Sequence, residues 1–217
     1  MNGIISSYTG SETNLVIPEE IDGAIADGAF LNNKFLVSVV IPDSVTSIGL
    51  SLSSCSGGGA FSGCSNLVQV IFPKNLKIIG LNAFQNCLNL KKIDLPDSLT
   101  GIGSSAFSGC SSLKSISIPP SVETISSFVF KDCSNLESIL LPQSINKIGF
   151  CAFSGCSNIS NISIPISVTK IDNFAFSGCS SLENISIPSS VTGIGNGVFS
   201  GCSKLLSIDL PPALEKP

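Results

Sequence analysis

Phenylalanine returns every 23 residues along most of this 217-residue chain, at Phe61, Phe84, Phe107, Phe130, Phe153, Phe176 and Phe199. Phe30 opens the series, and the eight extra residues before Phe61 form an insertion within residues 50–59, LSLSSCSGGG. Self-similarity at a period of this length is the mark of a stacked array of small structural units. A single globular core is thereby set aside.

Aligning the units exposes further columns. Six residues after each Phe comes Leu36, Leu67, Leu90, Leu113, Leu136, Ile159, Leu182 or Leu205, and positions nine and eleven after it are also apolar. A proline then follows, from Pro42 to Pro211. The unit reads L-x-x-I-x-I-P-x-S-V-x-x-I-G-x-x-A-F-S-G-C-S-x.

Its I-x-I segment alternates with period 2 in β-branched residues, which predicts a short strand with one buried face, ended by the proline. V-x-x-I-G adds two inward side chains before a glycine that lets the backbone turn. A-F-S-G-C predicts a short helical or 3₁₀ turn with Ala, Phe and Cys inward. One unit is a single layer and cannot bury these residues alone. Stacking eight converts each column into a continuous ladder, which is how solenoids obtain a core. The 43% hydrophobic content is therefore architectural.

The L-x-x-I-x-I core and the 23-residue period resemble a leucine-rich repeat, and the I-G-x-x-A-F-x-x-C half resembles the BspA-like, or treponemal, subfamily. The resemblance covers residues 15–214, and Tyr8–Gly23 is similar to the irregular first unit of such arrays. Departures are local: Asn33 stands in the cysteine column, Val129 and Val198 in the alanine column, and Ser126 and Asp172 at the turn glycine. The resemblance implies a right-handed leucine-rich-repeat horseshoe, mainly β, with a parallel sheet on its concave face and short 3₁₀ or α turns. The expected organisation is an irregular N-terminal unit at 1–23, repeats at 24–210 with the insertion at about 50–59, and an incomplete last repeat at 211–217. The family is described mostly as surface or secreted proteins of mucosal bacteria and protozoa, implicated in adhesion.

Several chemistries are excluded by absence. The chain has no His, Arg or Trp, so general-base histidines, arginine clamps and Cys/His zinc sites are ruled out. Only 12% of residues are charged, the net charge is -4, and all 11 cations are lysines. No basic stripe is available for a phosphate backbone, and nucleic acid is not an expected partner. No apolar run approaches the roughly 18–20 residues of a membrane helix, so no membrane span is expected. GGGAF, Gly57–Phe61, lacks the lysine of a phosphate loop, and Glu19 with Glu20 has no partner base. No enzyme activity, cofactor or metal is expected.

Seven of the nine cysteines, Cys64 to Cys202, share one column three residues after each Phe. They read as small buried hydrophobes. Rungs roughly 5 Å apart permit a disulfide by Cα distance, but stacked side chains point the same way and an odd number cannot all pair. Cys55 and Cys151 lie outside the column, and Cys55, among Ser and Gly, is the expected exposed thiol.

Binding surface is expected on the concave face, where the x positions of each strand project. An apolar cluster, Val37, Val40, Val68 and Ile71, is followed by the cations Lys91, Lys92 and Lys114. Contiguous exposed aliphatics mark interaction sites, and these seven are the candidate protein-binding residues. Two functions follow: a surface adhesion module, by resemblance, or an intracellular scaffold or structural subunit. The second draws on the thiol column and on an N-terminus, MNGIISSYTGSETNL, without a signal-peptide pattern. Asn158, Asn161 and Asn184 begin N-I-S sequons whose glycosylation would distinguish them. The last coil is expected to expose Leu205, Ile208, Leu210 and Leu214. Another copy of the chain, a different subunit or further sequence is expected to cover it, with self-association as one outcome.

Overall fold

A computed structural model describes residues 3–21, 23–52 and 58–214. The chain winds as a parallel β-solenoid of about eight turns, each turn one repeat unit. Most I-x-I segments form a strand on a first face of the solenoid: β1 (Asn14–Val16), β3 (Ser38–Val40), β5 (Gln69–Ile71), β8 (Ser115–Ser117), β10 (Ser138–Leu140), β13 (Asn184–Ser186) and β15 (Ser207–Asp209). Successive strands pair in parallel, Val39 beside Val70 and Ile116 beside Ile139. Single bridges at Lys92 join β5 to β8 across one coil without a strand, and the strandless coil around Ile162 separates β10 from the pair β13 and β15. The middle residue of each strand points inward and its neighbours outward, as period-2 alternation requires.

The V-x-x-I-G segment does more than contribute inward side chains. It builds a second parallel face in two four-stranded sheets, one of β2 (Gly23–Ile25), β4 (Val45–Ile48), β6 (Ile78–Ile79) and β7 (Gly101–Ile102), the other of β9 (Thr124–Ile125), β11 (Lys147–Ile148), β12 (Lys170–Ile171) and β14 (Gly193–Ile194). The first unit joins both sheets: β1 pairs with β3, Ile5 bridges to Ile25, and Tyr8 packs against Phe30 at 5.0 Å.

Between the sheets lies the phenylalanine column. From Phe30 to Phe199 the rings stack near-parallel with centroids 4.6–5.9 Å apart. Phe30 to Phe176 are fully buried, with the Leu, Ile and Ala columns around them.

The A-F-S-G-C segment is not helical, which corrects the expected 3₁₀ or α turns; among the described residues the one 3₁₀ turn is Pro212–Leu214. The reason is backbone handedness. Residues two before and two after the column Phe adopt left-handed conformations, such as Ser105 (φ 54) and Gly109 (φ 74) around Phe107; at Phe61 the first of these falls one residue earlier, on Gly58 (φ 81). This interrupts any helix and turns N–H groups along the solenoid axis. Phe61 N–H donates to Ala83 O at 2.7 Å, Phe107 N–H to Val129 O at 3.0 Å, and Gly109 N–H to Lys131 O at 2.7 Å. The column two after Phe runs Asn32, Gly63, Asn86, Gly109, Asp132, Gly155. Asn and Asp tolerate this conformation, and their carboxamide or carboxylate oxygens occupy the space that a Cβ on the next glycine would need.

Side chains bind coil to coil as well. Ser98, Ser144, Ser167 and Ser190 each donate a hydroxyl to a carbonyl of the preceding coil at 2.6–2.7 Å, and Thr100 and Thr169 do so at 3.1–3.2 Å. Each ladder thiol likewise donates to the phenylalanine carbonyl one coil back. Cys110 Sγ lies 3.2 Å from Phe84 O, which also accepts Cys87 N–H. Asn33 takes the place of the missing first thiol, donating from Nδ2 to Gly10 O and accepting from the N–H groups of Phe35 and Leu36.

All eight described cysteines are free thiols, and Cys55 lies outside the described residues. Burial raises the ladder thiols above their ordinary 9.0, Cys64 to about 11 and Cys133 and Cys179 to about 12. A group whose pKa is raised on folding stabilises the native state below its unfolded pKa and loses that contribution as pH rises. Unfolding free energy should therefore be flat near neutrality and fall above pH 9.0. Native thiol labelling at neutral pH should reach half-exposed Cys151 and Cys202 before Cys87, Cys110, Cys133, Cys156 and Cys179. Rapid labelling of Cys110 without denaturant would disprove the buried ladder. Separately, Ser105→Gly should relieve left-handed strain of about 1–2 kcal/mol against about 0.5–1 kcal/mol of added chain entropy. A higher urea midpoint with an unchanged m-value is the expected result.

Candidate binding surface

The sequence-derived candidates converge. Val68 N–H donates to Val37 O at 2.8 Å and Val40 pairs with Ile71, so the four aliphatics occupy two adjacent coils. Val37 and Ile71 are 38% and 49% exposed, while Val40 and Val68 are half-buried. Lys91 N–H donates to Val68 O and Lys114 N–H to Lys91 O, both at 3.4 Å, which continues the column as a cationic stripe.

An open groove of about 320 Å³ is lined by Val68, Gln69, Ile71, Phe72, Lys91 and Lys92, with Asp94 at its edge. Four of the seven candidates share this groove. Val37 and Val40 flank it from the preceding coil, and Lys114 lies one coil beyond. Two larger grooves, about 480 and 560 Å³, continue along the same face among Ser115, Ser117 and Leu140 and among Asn161, Asn184 and Ser186. They are more polar, and their exposed aliphatics are isolated.

Two groove residues escaped the sequence reading. Asp94 carries an ion pair to Lys92 at 2.8 Å with both side chains about three-quarters exposed. Such pairs contribute little to stability, but this one neutralises one of the two lysines that line the groove. Lys91 and Lys114 form no such pair among the described residues. Phe72 stands in a column otherwise Leu or Ile and meets Phe84 edge-on at 5.8 Å. Its larger ring, where the alignment shows an aliphatic, was the available signal.

A second cluster, beside the second sheet, was also missed. Phe128, Phe150 and Phe174 meet edge-to-face, 5.0 and 6.2 Å apart. Phe128 and Phe174 sit at the left-handed turn position, φ 59 and 56, where other units carry Asn82, Ser105, Cys151 or Gly197. Bulky residues there are strained by on the order of 1–3 kcal/mol, and backbone bonds from Phe128 N–H to Phe150 O and from Phe174 N–H to Asn196 O hold them. Beside them Asp172, at the turn-glycine position, accepts from Lys147 and Lys170 at 2.8 and 3.1 Å. Burial opposes ionisation of its carboxyl, but the two lysines outweigh it and hold its pKa below the ordinary 3.8.

Among the described residues no group of His, Cys, Asp or Glu is arranged to hold a metal, and no helix is long and apolar enough to cross a membrane. What the surface offers is a long open face suited to contact with an extended or protein surface.

Comparison with known proteins agrees with this architecture. A family model described as the BspA type leucine-rich repeat region matches in six copies, over residues 7–56, 23–148 and 123–216. The crystal structure of a leucine-rich repeat protein of T. pallidum is 32% identical over 95% of this chain and 84% of that one, with a TM-score of 0.74. A leucine-rich repeat protein of Eubacterium ventriosum covers 94% of this chain and 68% of its own at 21% identity and a TM-score of 0.58. The pneumococcal vaccine antigen PcpA covers 98% and 68% at 21% identity and 0.54. These last two share the fold. Among curated proteins none matches. The repeat family is one of protein-binding modules, and with six copies of its repeat model along the solenoid, this chain belongs to the BspA-type leucine-rich repeat family.

Proposed function

We propose that this chain is a non-catalytic adhesion module that binds a protein through the concave face. The observation that carries the reading is the groove where Val68 and Ile71, backed by Val37 and Val40, meet Lys91 and Lys92. The aliphatics supply desolvation, and Lys91 and Lys114, which form no ion pair among the described residues, favour a partner with acidic groups beside an apolar patch. Without Tyr, Trp or Arg anchors, each contact is weak, so tight attachment requires many copies engaging at once. This suits adhesion better than a single high-affinity complex.

A second reading, an intracellular scaffold, draws on the eight free thiols, since reduced cysteines persist most readily in a reducing compartment. Localising the intact gene product separates the two.

Binding of the chain to immobilised extracellular-matrix proteins tests the site. Val40→Asp with Ile71→Asp should weaken it by at least tenfold, about 1.4 kcal/mol, with unchanged circular dichroism. Neutralising Lys91 and Lys114 to Gln should slow association and flatten its salt dependence. Undiminished binding by both variants would move the site off this face.

A further inference from the structure

Outward positions that are small or neutral in adjoining coils turn large or charged together at one place on the second face. Phe128 and Phe174 stand on either side of Cys151 in the left-handed column. Phe150 lies between Ser127 and Asn173 in the column before it. Asp172 takes the turn position held by glycine in the coils on both sides, Gly149 and Gly195. Lys147 and Lys170 fill an outward column that reads Thr124 before them and Gly193 after. The lysines and the carboxylate sit inside the array, since β11 is paired on both edges, with β9 and β12, and β12 with β11 and β14.

Coil stacking does not call for these residues. Bulky side chains in the left-handed conformation are strained, and held strain of this kind collects at binding sites. The next unit gives way to one of them: a Cβ on Gly197 would meet the Phe174 ring at 2.4 Å. Phe150 meets Phe128 and Phe174 at interplanar angles of 79° and 88°. This edge-to-face packing on two sides holds the Phe150 ring in one orientation, and Phe174 remains 39% exposed.

Beside these rings the surface opens. Phe150, Lys170, Asp172 and Asn173 line a groove of about 340 Å³ with the backbone of Gly193 and Gly195, at the small end of ligand pockets. The groove is a step in the surface: Gly193 follows Lys170 in its column, and a Cβ there would touch nothing. Its polar groups converge. Asp172 accepts from Lys147 at 2.8 Å on one carboxylate oxygen and from Lys170 at 3.1 Å on the other, so each oxygen keeps a lone pair for a further donor. Asn173 accepts Asn196 N–H on Oδ1 at 2.7 Å, which leaves its Nδ2 to donate. Two lysines against one carboxylate leave a surplus positive charge, and Lys170 is the more exposed of the two, 61% against 41%.

From this arrangement we infer that the groove binds an acidic sugar, a pyranose ring bearing a carboxylate. The apolar C–H side of the ring lies against Phe150, the carboxylate meets Lys170, and hydroxyls donate to Asp172 and accept from Asn173. Donors and an acceptor gathered beside one aromatic ring suit a polyhydroxylated ring of similar size. An extended peptide would instead draw on main-chain partners at a sheet edge, and β11 and β12 are paired on both edges. A neutral sugar would leave the surplus charge unused. Uronic and sialic acids both carry the required chemistry. The site is separate from the apolar groove at Val68 and Ile71, and its ligand does not depend on the protein partner proposed there.

The test titrates the 217-residue chain calorimetrically with sialyllactose and with a glucuronate-bearing hyaluronan hexasaccharide, each beside a neutral counterpart, lactose and chitohexaose. Three variants borrow residues that other units carry at the same positions: Lys170→Thr as at Thr124, Phe150→Ser as at Ser127, and Phe174→Asn as at Asn82. At least one acidic sugar should bind, and its identity names the source. Its neutral counterpart should bind roughly tenfold more weakly or not at all, the loss expected for one charge-assisted hydrogen bond. Lys170→Thr should erase that preference and Phe150→Ser should weaken all binding. Phe174→Asn should raise the melting temperature while weakening binding, a combination that a purely structural role for the ring would not give. Val40→Asp with Ile71→Asp should leave the sugar titration unchanged. If Phe150→Ser alters the circular dichroism, Lys170→Thr at its exposed position keeps the test decisive. The inference is overturned if neither acidic sugar binds, if the neutral counterparts bind equally well, if a glutamate-rich peptide displaces the sugar at equal concentration, or if Lys170→Thr binds like the unmodified chain.

Discussion

Coil-on-coil stacking in register is the interaction on which the rest of this protein depends. One repeat is a single layer of chain with no interior, and its Phe, Leu, Ile and Cys become buried only when the next layer lies over them. The phenylalanine stack keeps that alignment visible, with near-parallel rings at 4.6–5.9 Å through the array. Any slip would part these rings and break both parallel sheets, so a constant repeat length is a mechanical requirement. The insertion at 50–59 obeys it, because Phe30 and Phe61 still stack at 4.6 Å despite the eight extra residues.

Stacking also explains a composition low in charge and rich in serine. A coil offers backbone donors and acceptors to both neighbours, and those that the two sheets leave over require partners. The left-handed turns direct Phe and Gly N–H groups to the following coil, while serine, threonine and cysteine side chains satisfy carbonyls of the preceding one. The thiol ladder is thus a hydrogen-bonding column as well as a packing column. Burial keeps its members protonated and able to donate.

Because the scaffold is repetitive, individuality resides where units differ. On this face the outward positions change from aliphatic to cationic to small polar along the array, which confines the apolar groove to β5 and the coil after it, with Val37 and Val40 beside it. At the side, two phenylalanines hold a turn conformation that neighbouring units give to small or amide residues. Solenoids divide labour in this way: inward columns hold the fold, and outward ones are free to vary.

The sequence by itself determined the period, the inward columns, the parallel strands, the family and the seven concave residues that converge near one groove. The period and columns follow from the recurrence of one spacing, and the family from the resemblance of the repeated motif. Tertiary structure decided what depends on contacts between repeats. V-x-x-I-G became a second sheet because each segment finds its copy beside it. A-F-S-G-C stayed non-helical because its N–H groups find acceptors on the next coil. Phe128, Phe150 and Phe174 stand at unequal offsets in their units, and only stacking brings them together. The same holds for Asp172 between Lys147 and Lys170. A period specifies which residues face inward, but the coil-to-coil partner of a backbone N–H lies about one repeat away and is selected only when the layers meet.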